Sequence, residues 1–207
     1  MLWAANILMT AKVHLIRHGA HDDVGKVLSG RSARSPLSPA GRAQAQWLAA
    51  HFARQNPIAA IHCSPRERAR ATAEIIGVCI GVRAEVVDAL DEVDFGAWTG
   101  RSFDDLEHDP DWRAWNWRRS EVRPPNGERM AEATARAVGH LDALVQRGGG
   151  GTLLCVSHCD IIRGIVAHYL GLGLDRLLAF DVYPGSVSTL LLGQWGARLL
   201  KLNGGQE

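Results

Sequence analysis

The sequence predicts an α/β fold, a three-layer α/β/α sandwich around a mostly parallel central sheet. Three observations carry this. Short apolar runs at 13–16, Ile58–Cys63 and 82–87 alternate with two helical segments, the β-α-β-α-β order that parallel strands need for their crossovers. The most strand-like run, 152–156, follows a long Ala-rich helical stretch in the same way. At 207 residues and 46% hydrophobic, the chain also suits one core, so 1–207 reads as a single domain.

Along the chain, 13–16 is a buried strand that delivers Arg17-His18-Gly19 to a loop. Ser38-Pro39 reads as an N-cap with Pro at the first helical position, opening a helix through Gln44, Leu48 and Phe52 that Asn56-Pro57 stops. Ile58–Cys63 is the second strand, 65–76 the second helix and 82–87 the third strand. From 103 to 119 the chain is acidic and then Trp-rich, which suggests short helices over a cleft mouth; Trp112, Trp115 and Trp117 read as packing more than as a stacking platform. The helix over 128–146 ends at Gly148 to Gly151, the strand over 152–156 ends in Ser157-His158, and 161–170 is helical. The runs 188–192 and 197–202 form a closing hairpin turned by Gly193-Gln194-Trp195-Gly196.

A formal net charge of +1 and a pI near 7.8 argue against nucleic-acid binding by bulk attraction. Among the 23 basic residues only Lys12, Lys26 and Lys201 are lysines, so any phosphate or carboxylate recognition falls to particular arginines. Cys63, Cys79, Cys155 and Cys159 lack metal-ligand or disulfide spacing and are expected reduced, in a cytoplasmic protein with no metal and no cofactor. Residues 1–9 have no basic start and too short an apolar run for a signal peptide or membrane span; they read as a disordered extension, with Met9 as an alternative start.

Two predicted parallel strands end in a histidine, His18 and His158, and ligands of open parallel sheets bind beyond the carboxyl ends of strands. The other candidates, His14, His51, His62, His108, His140 and His168, read as structural. Five stretches around these strand ends, spanning about 12–192, together resemble the histidine phosphatase superfamily. They are Leu15-Ile16-Arg17-His18-Gly19; Pro36-Leu37-Ser38 with Gly41 and Gln44-Ala45; Ser64-Pro65-Arg66-Glu67-Arg68-Ala69 with Thr72-Ala73; Leu90-Asp91-Glu92 with Phe95-Gly96-Ala97-Trp98-Thr99-Gly100; and Val156-Ser157-His158 with Ile162-Arg163.

The resemblance implies a phosphomonoester hydrolase with His18 as nucleophile, Arg17, Arg68, Gly19 and His158 around the phosphoryl group, and Glu92 as general acid. Asp91 and Asp94 flank Glu92 and stay open as alternatives. The chemistry suits the residue types: a neutral imidazole is a good nucleophile near pH 7, and a phosphohistidine splits one displacement into two. Preorganised cations stabilise the equatorial oxygens during in-line transfer. His158 would have to carry a proton where it meets the phosphate, which a dianion favours.

The sequence departs from the family pattern at Ala20-His21, at Cys159 and at Arg129. His21, Arg31, Arg118 and Cys159 are therefore weaker candidates for specificity, His21 reading first as a solvent-facing loop residue. Trp117-Arg118-Arg119-Ser120 before Pro124-Pro125 resembles the mutase segment that holds a substrate carboxylate, so phosphoglycerate mutase-type transfer is the alternative. The form of the Phe95–Gly100 motif and the shorter chain favour the phosphatase; a catalytically silent phosphate-binding module is the third reading. The partner expected is a small phosphorylated substrate, with no nucleic acid and no membrane, and a homodimer is compatible with this.

Overall fold

The computed structural model describes residues 10–55, 57–147 and 150–205, so the expectations for residues 1–9, for Asn56 and for residues 148 and 149 lie outside the described residues. The elements are β1 (Ala11–Arg17), α1 (Pro39–Ala53), β2 (Ile58–Cys63), α2 (Glu67–Ile80), β3 (Ala84–Val86), α3 (Phe103–Glu107), α4 (Pro110–Trp117), α5 (Met130–Gln146), β4 (Gly151–Ser157), α6 (Cys159–Leu170), β5 (Val187–Gly193) and β6 (Gly196–Gly204).

The six strands form one sheet in the order β3-β2-β4-β1-β5-β6. The first four are mutually parallel, and β5 and β6 add an antiparallel edge. This is the expected mostly parallel sheet, but β1 and β2 are not neighbours: β4 inserts between them. The register of that insertion sets up the site. Ala11 stands opposite Gly151 and Arg17 opposite Ser157, so the next residue of each chain, His18 and His158, leaves the same edge side by side.

Alternating burial along the central strands creates the layers. Val13 and Leu15 of β1 and Leu153 and Cys155 of β4 pack with Ala133, Ala137 and Leu141 of α5 and Ile162, Ile165 and Val166 of α6. Ile16, Leu154 and Val156, pointing the other way, pack with Leu48 and Phe52 of α1 and Ala73 and Ile76 of α2. Helices thus cover both faces, as predicted.

Several boundaries move for local reasons. α2 begins at Glu67 rather than 65 and continues to Ile80, where Gly81 at φ 72° supplies the left-handed cap. β3 shrinks to three residues because the Val82 amide is taken by the Gly77 carbonyl at the end of α2. α6 starts at Cys159, immediately after the strand-end histidine. At the start of α1, Ser38 Oγ accepts from the Gly41 amide at 3.1 Å, the expected N-cap.

Gly41 does more than continue this turn. A Cβ there would lie 1.9 Å from the Ala20 carbonyl oxygen, and one on Gly19 would lie 2.4 Å from the Gly41 carbonyl oxygen. The loop leaving His18 therefore crosses the first turn of α1 backbone to backbone. Gly41→Ala should destabilise the protein by about 3 kcal/mol, because the obstructing atoms are main chain and cannot rotate away. Thermal unfolding checks this, and a Tm within about 1 °C of the parent would refute the crossing.

The four cysteines are unpaired. No helix among the described residues is long and apolar enough to cross a membrane.

Candidate active site

His18 is 3% exposed, and its two ring nitrogens are differentiated by their partners. Nδ1 lies 2.8 Å from the Gly19 carbonyl oxygen, which only accepts, so Nδ1 carries the hydrogen. Arg68 Nε donates to Nε2 at 3.1 Å, which requires the lone pair there. Both contacts select the same tautomer, the one with a nucleophilic Nε2. Burial, then the positive charges of Arg68 and Arg17, hold the His18 pKa well below its ordinary value, against a smaller opposing effect of the Gly19 carbonyl. The ring is therefore neutral around pH 7.

Arg68 reaches the site from the first turn of α2 and is 1% exposed. Besides His18 it donates through Nη1 to Ser35 Oγ at 2.8 Å and through Nη2 to the Gly30 carbonyl at 2.8 Å and His158 Nδ1 at 3.0 Å. Burial lowers its pKa to about 10, with Glu92 and Asp91 pulling the other way, so it stays cationic at neutral pH. Arg17 anchors Nη1 on the Val182 carbonyl at 2.6 Å, while its buried Nε has no hydrogen-bond partner among the described residues. Its guanidinium lines the cavity beside His18.

His158 is fully buried, at the N-cap of α6. Its Nδ1 accepts from Arg68, and its Nε2 meets Ser64 Oγ at 2.7 Å; Ser64 in turn donates to Asp91 Oδ1 at 3.3 Å. The ring hydrogen thus sits on Nε2, turned toward Ser64. Burial and the charge of Arg68 hold the ring neutral. In this geometry the sequence-based picture of His158 as a protonated donor changes: its Nδ1 is an acceptor, 3.8 Å from Glu92 Oε2, and the ring lies behind Arg68 rather than in the cavity lining.

Glu92 Oε1 accepts from the Val93 amide at 3.0 Å, and its pKa is pushed up to about 7 by burial and by the negative charge of Asp160, with Arg68 opposing. A carboxyl group half protonated near neutrality can act as acid and then as base. Asp91 is not its equivalent: Asp91 Oδ1 accepts from Arg66 Nε at 2.9 Å and from the Glu92 amide at 2.8 Å. Asp94 caps the Gly96 amide at 2.9 Å. Of the three carboxylates left open by the sequence, only Glu92 lines the cavity.

The weaker candidates divide. Arg31 does not line the cavity; its Nε donates to the Glu92 carbonyl at 2.8 Å and its Nη2 to Glu128 Oε1 at 2.7 Å, so it braces the acid segment from behind, together with Arg136. Arg118 is a second correction: it pairs on the surface with Glu121 at 3.5 Å, because α4 ends at Trp117 and turns it outward. Its neighbour Arg119 turns in instead, donating to Asp160 Oδ1 at 2.8 Å and lying 5.3 Å over the Trp115 ring. His21 is a third correction, since it is 8% exposed and lines the cavity rather than facing solvent. Cys159 lines the cavity too, its thiol pKa pushed up to about 11 by burial, which leaves no reactive thiolate at neutral pH.

The cavity has a volume of about 730 Å³. Beyond the His18 end its wall mixes apolar side chains such as Leu28, Phe95 and Trp112 with charged ones such as Arg113, Arg163 and Asp175. The tryptophans separate accordingly: Trp115 is core, Trp112 packs edge-to-face on Trp98 and also faces the cavity, and Trp117 stands 80% exposed at its mouth. Sequence reasoning missed Asp160, the half-buried partner of Arg119. Its only local signal was its place two residues after His158.

A buried neutral imidazole with an aimed lone pair, two guanidiniums and a carboxyl group of raised pKa, gathered at the carboxyl edge of a parallel sheet, defines an α/β protein built to handle phosphate. A profile of the histidine phosphatase superfamily (branch 1) matches residues 13–204, and the chain belongs to that superfamily. Among curated relatives, a bifunctional protein of Mycobacterium tuberculosis is 32% identical over 190 residues, covering 91% of this chain and 52% of the relative, so the chain spans about half that protein's length. An adenosylcobalamin/alpha-ribazole phosphatase of Salmonella typhimurium is 30% identical over 195 residues, covering 93% of this chain and 96% of the relative. Among solved structures, mycobacterial glucosyl-3-phosphoglycerate phosphatase superposes with a TM-score of 0.85 at 26% identity, over 95% of this chain and 100% of that one.

Proposed function

We propose that the chain hydrolyses a phosphate monoester of a small metabolite through a phosphohistidine on His18. The observation that carries this is the tautomer of His18, set by Gly19 on one nitrogen and Arg68 on the other. Nε2 attacks phosphorus in line, the P–O bond to the leaving group breaks, and Glu92 gives that oxygen its proton. Glu92, now a carboxylate, takes a proton from water as the water oxygen attacks the phosphohistidine, and inorganic phosphate leaves with His18 restored. Arg17 and Arg68 hold the equatorial oxygens, so the cationic charge in the site comes from side chains.

The distal wall supports a phosphatase over a mutase. Of the arginine pair that resembles a carboxylate clamp, Arg118 points to solvent and Arg119 is already paired with half-buried Asp160. The test is a panel of phosphorylated metabolites assayed for free phosphate and for isomerised 3-phosphoglycerate. Phosphate release is expected, and isomerisation without it would overturn the reading.

Glu92 makes a prediction of its own. Because its pKa is raised to about 7, kcat/KM for alkyl phosphates should fall as pH rises through that value and the acid is lost. For p-nitrophenyl phosphate, whose leaving group needs no proton, that limb should be absent. Glu92→Gln should cost about 10²- to 10³-fold in kcat/KM on an alkyl phosphate and less than about tenfold on p-nitrophenyl phosphate. Equal losses on both substrates would remove Glu92 from the acid role.

A further inference from the structure

We propose that His21 is a third imidazole of the phosphate site, oriented by Asp23, which takes up a proton as the anion binds and donates it as a hydrogen bond to that anion. This deepens the phosphatase reading and rests on it.

The geometry comes first. His21 lies three residues beyond His18 in a loop where a polar side chain would ordinarily face water, yet it is 8% exposed. Its backbone is pinned by a turn, the Val24 amide donating to the His21 carbonyl at 3.1 Å. The ring flanks His18 with centroids 5.4 Å apart, against 5.1 Å from His18 to His158, so two imidazoles adjoin the nucleophile. It lines the same cavity as Arg17, His18 and Arg68. Nδ1 is buried without a hydrogen-bond partner among the described residues, and the Asp23 carboxylate stands 3.8 Å from it, close enough to close on a proton placed there. Asp23 is itself steadied by Ser29 Oγ at 3.5 Å.

An unbonded buried ring nitrogen is a cost to the fold, and such groups call for an explanation. The charges facing the ring supply one. From β1 and the residue after it come Arg17 and His18, from α2 Arg68, and from its own loop Asp22 and Asp23. Burial, then Arg68, outweigh the two aspartates and hold the His21 pKa down at about 4, so the free site contains a neutral ring. A dianion seated among Arg17, His18 and Arg68 offsets both guanidiniums and reverses that field. The imidazolium is then favoured, one N–H turning to Asp23 and the other to the anion. The affinity for a dianion must then rise as pH falls, since proton and anion bind together.

Sulfate tests this because it stays dianionic from pH 5 to 8, so any proton taken up from the buffer goes to the protein. Calorimetric titration of the full chain at pH 6, in two buffers of different ionisation enthalpy, counts those protons. The parent protein is expected to bind sulfate with net proton uptake. His21→Asn should lose about tenfold in sulfate affinity, the scale of one charge-assisted hydrogen bond, together with most of one proton of uptake. Asp23→Asn, at a side chain 44% exposed, should fold normally and show a smaller loss of both. Uptake through Glu92, His18 or His158 persists in the variants, so the difference isolates His21. If both variants match the parent in affinity and proton uptake, His21 is a bystander. If the parent neither binds sulfate nor releases phosphate from p-nitrophenyl phosphate, the phosphatase reading itself fails.

Discussion

His18→Ala should lower kcat on any phosphate monoester by about 10⁴-fold or more and abolish the phosphoenzyme, since deleting a nucleophile removes both half-reactions at once. The substitution is small enough to leave the rest of the site in place. The His18 ring donates to the Gly19 carbonyl and accepts from Arg68, whose other donors keep Ser35, Gly30 and His158. The variant should therefore fold and still bind sulfate, so lost turnover reports on chemistry and not on binding. Rapid quenching into alkali, where phosphohistidine survives, should trap label on the parent and none on the variant. A His18→Ala protein that keeps more than about a tenth of parent turnover would sink the mechanism. By contrast, His158→Ala should still form the intermediate, more slowly, because His158 shares Arg68 with His18 but is not the attacking group.

Which parts of this site were legible before the fold was known follows from how local each determinant is. His18, Arg68, Glu92 and His158 announce themselves because each sits in a short string whose neighbours do related work: Gly19 yields to the α1 backbone, Ser64 anchors His158, and Asp91 holds the Glu92 amide. The strands and helices were legible for the same reason, as periodic runs with caps such as Ser38, although the Gly81 cap that carries α2 past 76 was not read. The insertion of β4 between β1 and β2 was not, because strand order is decided by which faces bury one another and not by any run of residues.

The specificity wall was the least legible part. Whether Arg118 or Arg119 enters the cavity depends on where α4 unwinds and on Asp160, 41 residues away, as its partner. Arg31 offers no sign in its own neighbourhood that it braces the Glu92 carbonyl across 61 residues. His21 was misjudged toward solvent because the burial of a loop is a property of what folds over it.

Arg68 carries the second large effect, and two substitutions separate its charge from its shape. Arg68→Lys keeps a cation, yet one ammonium cannot serve His18 Nε2, Ser35, Gly30 and His158 together, so kcat/KM should fall by about 10³-fold. Arg68→Met removes the field as well, and the loss should approach about 10⁴-fold. The pH profiles should differ in kind. Arg68 is the largest charge effect holding His18 and His158 below their ordinary pKa values, and only neutral His18 can attack. Without that cation the His18 pKa rises, the protonated fraction grows on the acid side, and the acid limb of kcat/KM moves to higher pH. With lysine the limb stays where it is in the parent. Stability offers an independent check: losing the bonds to Ser35 and Gly30 is offset by no longer burying a cation, so Arg68→Met should unfold within a few degrees of the parent. Identical pH profiles for the two variants would show that Arg68 acts by geometry alone, and would remove its charge from the account of why His18 is neutral.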